Sequence, residues 1–231
     1  MKKSEIINWT ILLLGLLVQI VVYALKPDNI WSLVSGLLGM CSVVLCSQGN
    51  ILTFLFGFGQ IATYTYLCFL ERFYAGIAIN IFYFITQIYG TFAWYKRLNE
   101  TSSSSSEVVI TTRRLPVTTL SIICCAALVV SLLVGWLLSL YTQDSSPFLD
   151  AFTTVPALVA QVLMMLAYRE QWYLWLFVDV LSAVMWIIAG NYSMAALYTF
   201  WCLNCIFGYI RWTEQLEPDF AECPKDTQDI H

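Results

Sequence analysis

In the stretch WYLWLFVDVLSAVMW (172–186), Trp172, Trp175, Asp179, Ser182 and Trp186 recur at spacings of 3, 4, 3 and 4. At about 100° per residue they form one stripe of a helix. Indole faces stack on flat rings and attract cations. A carboxylate neutralises a positive charge or accepts hydrogen bonds from an amine. The stripe is therefore suited to holding a flat, cationic, heteroaromatic molecule.

Asp179 carries most of that argument. Between Glu170 and Arg211 the chain has no other charged residue. An acid at the centre of a membrane span costs about 2.5–3.5 kcal/mol, so a functional role is the default reading. No Lys, Arg or His lies within a span to pair with it, so it is either protonated or faces water or a cationic or donor-bearing ligand.

Two further segments repeat the spacing: Asn80, Tyr83, Gln87, Gly90 and Trp94, and Tyr198, Trp201, Cys205, Gly208 and Trp212, with Asn204 at the edge. The candidate substrate-binding set is Trp172, Trp175, Asp179, Asn80, Tyr83, Gln87, Tyr198, Trp201 and Asn204. Plainer roles compete. Trp94 and Trp212, beside Lys96 and Arg211, read as interfacial anchors. Gly36, Gly39, Gly57, Gly59, Gly90 and Gly208 read as helix-packing contacts, and the amides taken singly as interhelical glue. Cys202-x-x-Cys205 lies mid-span without a second pair, so the cysteines read as small apolar residues rather than metal or redox groups.

The elements that must position these residues are membrane spans. The 231 residues are 59% hydrophobic, 16% aromatic and only 11% charged, against roughly a quarter charged in soluble domains. Apolar runs long enough to cross about 30 Å of hydrocarbon occur at 6–25, 30–46, 51–70, 73–95, 117–141, 151–168, 172–189 and 192–210. The first run is too long for a signal h-region and lacks a small-x-small cleavage site, so it reads as a retained span. The expected fold is all-α, a single integral membrane domain over 1–231. It divides into a leading helix 6–25, a first three-helix repeat 30–95, a flexible cytoplasmic linker 96–116, and a linking helix 117–141. A second three-helix repeat 151–212 and a disordered acidic tail 213–231 complete it. The repeat shows at an offset of 118 residues, which lays Tyr74 over Tyr192, Ala78 over Ala196, Tyr83 over Trp201, Gly90 over Gly208 and Trp94 over Trp212. One linking helix gives both triplets the same orientation, and transporters of that design hold substrate near the midplane.

With the N-terminus cytoplasmic, Lys2, Lys3, Lys96, Arg97, Arg113, Arg114, Arg169, Arg211 and Lys225 fall inside and only Lys26 and Arg72 outside. The positive-inside rule then places both termini in the cytoplasm. Several function classes drop out. The one histidine is His231, which excludes His-dependent catalysis and His-ligated metals. No phosphate-loop motif is present and no basic face suits nucleic acid. The chain reads as a transporter rather than an enzyme, without cofactor or metal.

At these residues the chain resembles the Pnu family of bacterial vitamin transporters, whose branches take up nicotinamide riboside (PnuC) and thiamine (PnuT). The family motif W-x-x-W-x-x-x-[ND] falls on Trp172, Trp175 and Asp179, and its amide-rich helix ending QIYGTFAW on Asn80 to Trp94. The similarity covers spans two to eight. The resemblance implies a three-one-three core related to the SWEET sugar transporters and often a homotrimer in the bacterial inner membrane. It also implies facilitated diffusion, with cytoplasmic phosphorylation by a vitamin kinase trapping the substrate. Enterobacterial-type members carry Asn where Asp179 stands, and Asn where this chain has Phe207. An acid suits the aminopyrimidine of thiamine, so thiamine is the expected substrate. Nicotinamide riboside is the alternative; riboflavin, or an ion-coupled transporter using Asp179, is more remote.

Overall fold

The computed structural model describes residues 3–25, 29–70, 74–101, 109–141, 146–188 and 192–216. Among these there are eight helices: α1 (Lys3–Leu25), α2 (Ile30–Ser47), α3 (Leu52–Leu70), α4 (Tyr74–Thr101), α5 (Val117–Tyr141), α6 (Pro147–Met165), α7 (Gln171–Ile188) and α8 (Tyr192–Glu214). The fold is all-α. Four helices, α2, α3, α5 and α6, contain a continuous window long and apolar enough to cross a membrane. α4 and α8 carry amides and charged last turns, which lower their hydropathy.

Local signals explain the boundaries. Asn29 caps α2, its side chain accepting from Trp31 N at 3.1 Å, and Asn50 Oδ1 accepts from Leu52 N at 2.9 Å to start α3. The sixth helix begins four residues before the expected 151, because Pro147 follows Ser146 at the first helical position, where its fixed φ is pre-organised and its missing N–H costs nothing. It ends at Met165, short of the expected 168, because Ala167 turns to φ 61°.

The turns after α2 and α6 are the same structure, 118 residues apart. Gly49 has φ 69° and Ala167 φ 61°. Gly49 N donates to Cys46 O at 2.9 Å, and Ala167 N to Met164 O at 2.9 Å. Asn50 N donates to Leu45 O at 3.0 Å, and Tyr168 N to Leu163 O at 2.9 Å.

The linker departs from expectation. α4 continues through Thr101, and the chain from Val109 to Pro116 is not flexible but lies as an ordered strap across both turns. Ile110 N donates to Gly49 O at 3.1 Å, Thr112 N to Gln215 O at 2.8 Å, and Arg113 N to Ala167 O at 2.8 Å; Arg169 N donates back to Arg113 O at 3.0 Å. Thr112 Oγ1 also donates to Trp212 O. Leu115 N donates to Glu170 Oε2 at 3.0 Å. Alternating Ile110 and Thr112 are buried, so the strap's β-branched side chains close one end of the bundle. The tail likewise starts later than 213: α8 runs to Glu214, and Gln215 Nε2 donates to Gln48 O at 3.2 Å. The rest of the expected tail, and the serine run of the linker, lie outside the described residues.

The core sits beneath the strap. Phe54, Trp94, Trp172 and Trp212 form a chain of edge-to-face rings, with centroids 4.9 Å apart for Phe54–Trp94 and 5.7 Å for both Trp94–Trp212 and Trp172–Trp212. Both expected interfacial anchors are corrected here: Trp94 and Trp212 are 0% exposed. The Trp94 indole donates to Met164 O at 3.2 Å and that of Trp212 to Cys46 O at 2.9 Å. A buried indole N–H needs an acceptor; Trp94 of α4 finds one at the end of α6, and Trp212 of α8 at the end of α2.

Candidate functional site

Buried polar groups stand on α4, α7 and α8. Asn80 and Gln87 on α4, Asp179 on α7 and Asn204 on α8 are all 1–6% exposed. Tyr83 (α4) stands within electrostatic range of Tyr64 (α3) and Tyr198 (α8). The Tyr198 and Trp201 rings meet edge to face at 5.1 Å. Tyr83, Trp175, Tyr198 and Trp201 are half-buried. Trp172, by contrast, lies in the floor, its ring filling the space over Gly208 where a Cβ would come within 2.5 Å of it. Phe54 fills the matching space over Gly90, at 2.6 Å. The side chain of Trp186 lies outside the described residues.

These groups are short of partners. Asn80 Nδ2, Gln87 Oε1, Trp172 Nε1, Trp201 Nε1 and both amide atoms of Asn204 are buried without a hydrogen-bond partner. Each such group costs about 1–3 kcal/mol, and native proteins rarely tolerate several together. Five of the nine sequence-derived residues thus carry an unmet donor or acceptor, and a sixth, Asp179, is a buried acid. For a membrane interior that is the pattern of a polar binding site.

Two contacts were not legible beforehand. Gln161 Nε2 on α6 donates to Thr86 Oγ1 at 3.3 Å, and Cys205 Sγ donates to Asp179 Oδ2 at 3.4 Å. Cys205 does lie on the α8 stripe, four residues after Trp201, but nothing in the sequence marks its thiol as the acid's neighbour. The fully buried Gln171, at the start of α7, also escaped attention.

A further relationship concerns Gln87. Its Nε2 sits where a Cβ on Gly57 would be, 2.0 Å away, so the glycine opens the space the amide occupies. The residues 118 later are Trp175 and Cys205. The small–large pairing of α3 and α4 is thus reversed in α7 and α8.

An all-α bundle of apolar helices that buries stacking rings, amides and one acid is the frame of a membrane protein; its likeness to known proteins makes it a transporter. A family model described as nicotinamide mononucleotide transporter matches residues 29–214, and the chain belongs to that family. It is 32% identical over 213 residues to a protein of Neisseria mucosa named nicotinamide riboside transporter PnuC, covering 89% of this chain and 80% of that one. A Haemophilus influenzae protein of the same name is also 32% identical, with 92% and 91% covered. The crystal structure of the vitamin B3 transporter PnuC superposes with a TM-score of 0.73 at 29% identity, over 91% of this chain and 92% of that one. The family model's match begins at α2, as the resemblance over spans two to eight implied. It overturns the expectation of thiamine: the relatives that match carry the nicotinamide riboside name, although this chain has an acid, Asp179, at the last motif position.

Proposed function

We propose that the chain carries nicotinamide riboside across the bacterial inner membrane by facilitated diffusion. The observation that carries this is that five of the nine stripe residues hold a buried polar atom without a partner, while Asp179 is a buried acid on the stripe of α7. Nicotinamide riboside is a pyridinium cation with a carboxamide and ribose hydroxyls. The Asp179 carboxylate offsets the ring charge, and Trp175, Tyr83, Tyr198 and Trp201 supply π faces for the flat ring. Asn80, Gln87 and Asn204 supply the donors and acceptors that the carboxamide and hydroxyls can meet, with the Trp172 N–H rising from the floor.

The family description names the mononucleotide, whose phosphate adds negative charge. A phosphate is ordinarily held by Lys, Arg or a helix N-terminus, and here the nearest charge among the site residues is an acid. Charge therefore favours the riboside.

The surrounding architecture belongs to the same reading. Eight spans in a one-three-one-three order, with the triplets α2–α4 and α6–α8 as parallel repeats, account for the matched turns, rings and indole bonds 118 residues apart. Both termini are cytoplasmic, consistent with Arg97, Arg113 and Arg169 gathering at the strap end of the bundle. A homotrimer, and trapping by a cytoplasmic kinase, follow from the same likeness. The sequence has no nucleotide-hydrolysis motif, so the carrier equilibrates rather than pumps.

The test is a titration of purified protein with nicotinamide riboside, its mononucleotide and free nicotinamide, read by tryptophan fluorescence. The riboside should bind most tightly. Tighter binding of the mononucleotide would refute the charge argument. Proteoliposomes preloaded with unlabelled riboside should exchange label without any ion gradient, and a strict requirement for a proton or sodium gradient would recast Asp179 as a coupling residue.

A further inference from the structure

We infer that Cys205 is a positioning residue for substrate specificity: its thiol ties one oxygen of the Asp179 carboxylate and orients the acid toward a cationic ring. This rests on the reading of Asp179 as the acid that meets the substrate. Cys205 Sγ lies 3.4 Å from Asp179 Oδ2. Both residues are nearly enclosed, at 4% and 5% exposure, so water does not compete for the contact. Among the described residues, the thiol is the hydrogen-bond donor that reaches this carboxylate.

The counterpart of Cys205, 118 residues earlier, is Gln87, a long amide accommodated over Gly57. The counterpart of Gly57 is Trp175, which packs against the cluster containing Cys205. A thiol is the short donor that is also at ease in an apolar surrounding, and it donates weakly. Weak donation orients the carboxylate without neutralising it, as a buried Lys or Arg would. The charge stays available for a pyridinium, and the second oxygen is left to accept from the substrate. The contact also joins α7 to α8, so the acid keeps its orientation if these helices move together.

A double-mutant cycle tests the idea, with nicotinamide riboside as the probe and tryptophan fluorescence as the readout on full-length protein. Cys205→Ala should weaken binding about three- to ten-fold, the scale of one neutral hydrogen bond. Cys205→Ser, which restores a donor, should bind within about two-fold of the parent by the same scale. In an Asp179→Ala background, Cys205→Ala should add no further loss. Equal losses in both backgrounds would show that Cys205 acts by packing and overturn the inference, as would parent-like binding by Cys205→Ala. Should Asp179→Ala itself bind like the parent, the site assignment fails first, an outcome distinct from additivity.

Discussion

Trp94 and Trp212 meet edge to face at 5.7 Å, and each sends its indole N–H to another helix, Trp94 to Met164 O and Trp212 to Cys46 O. Donors and acceptors alike are 118 residues apart, so the two bonds are one interaction made twice. Together they fasten α4 to α6 and α8 to α2. Trp94→Phe or Trp212→Phe removes the indole donor and leaves each carbonyl only its turn bond from Ala167 N or Gly49 N, and should cost about 0.5–1.5 kcal/mol for the lost bond. Thermal unfolding in detergent should show a lowered Tm for each. Were the two residues interfacial anchors, either change would be nearly neutral.

The paired turns make a prediction of opposite signs. Gly49 and Ala167 share a left-handed backbone, which costs a residue with a Cβ roughly 1–2 kcal/mol. Ala167→Gly should therefore leave stability unchanged or raise it by up to about 1 kcal/mol, since glycine also gains freedom in the unfolded chain. Gly49→Ala should destabilise by more than the strain alone, because its Cβ would lie 2.6 Å from Gln215 Oε1 and 3.2 Å from Val109. Comparing the two Tm shifts checks the pair. Equal shifts of the same sign would contradict the shared geometry.

Asp179→Ala should weaken nicotinamide riboside binding by roughly ten- to a hundred-fold, the range for hydrogen bonds to a charged group. Asp179→Asn should keep the shape and lose less. Fluorescence titration gives both constants. Binding unchanged in Asp179→Ala, with the fold intact, would assign the acid a structural role.

Gly57→Ala should imitate Gln87→Ala. The added methyl falls on the Gln87 amide, so the amide must leave its place although α3 itself is unharmed. Both variants should weaken riboside binding to a similar degree, by about two- to ten-fold for one neutral hydrogen bond. A Gly57→Ala protein that binds like the parent, while Gln87→Ala does not, would show that Gln87 serves the site from another position.

The strap's anchor is Glu170, 3% exposed, which accepts from Leu115 N at 3.0 Å and pairs with Arg169 Nε at 3.0 Å. Glu170→Gln keeps an acceptor for Leu115 but gives up the ion pair, whereas Glu170→Ala gives up both and strands a buried N–H. The alanine variant should be less stable than the glutamine variant by about 1–3 kcal/mol, read as a larger fall in Tm. Parity between them would mean that the strap adds nothing to the closed end of the bundle.

Much of this protein was legible in one dimension because a bilayer leaves few choices. Apolar runs of the right length must become helices, since no other open structure satisfies its backbone in lipid. All eight expected runs lie on helices; residues such as Pro147 and the left-handed Ala167 moved the ends of the sixth. The 3–4 spacing drew Trp172, Trp175 and Asp179 onto one stripe, and Asp179 stood out as the one acid in its span because of its cost in hydrocarbon. Spacing cannot say what stands opposite a side chain. Only the tertiary structure decided that Trp94 and Trp212 are buried donors, because their carbonyl partners lie 70 and 166 residues away. The strap over 109–116 escaped for the same reason. Its short, weakly patterned sequence is ordered by turns and helix ends distant in the chain. The substrate preference read from Asp179 also went astray, because a carboxylate suits any cationic ring, and its meaning depends on the groups folded around it.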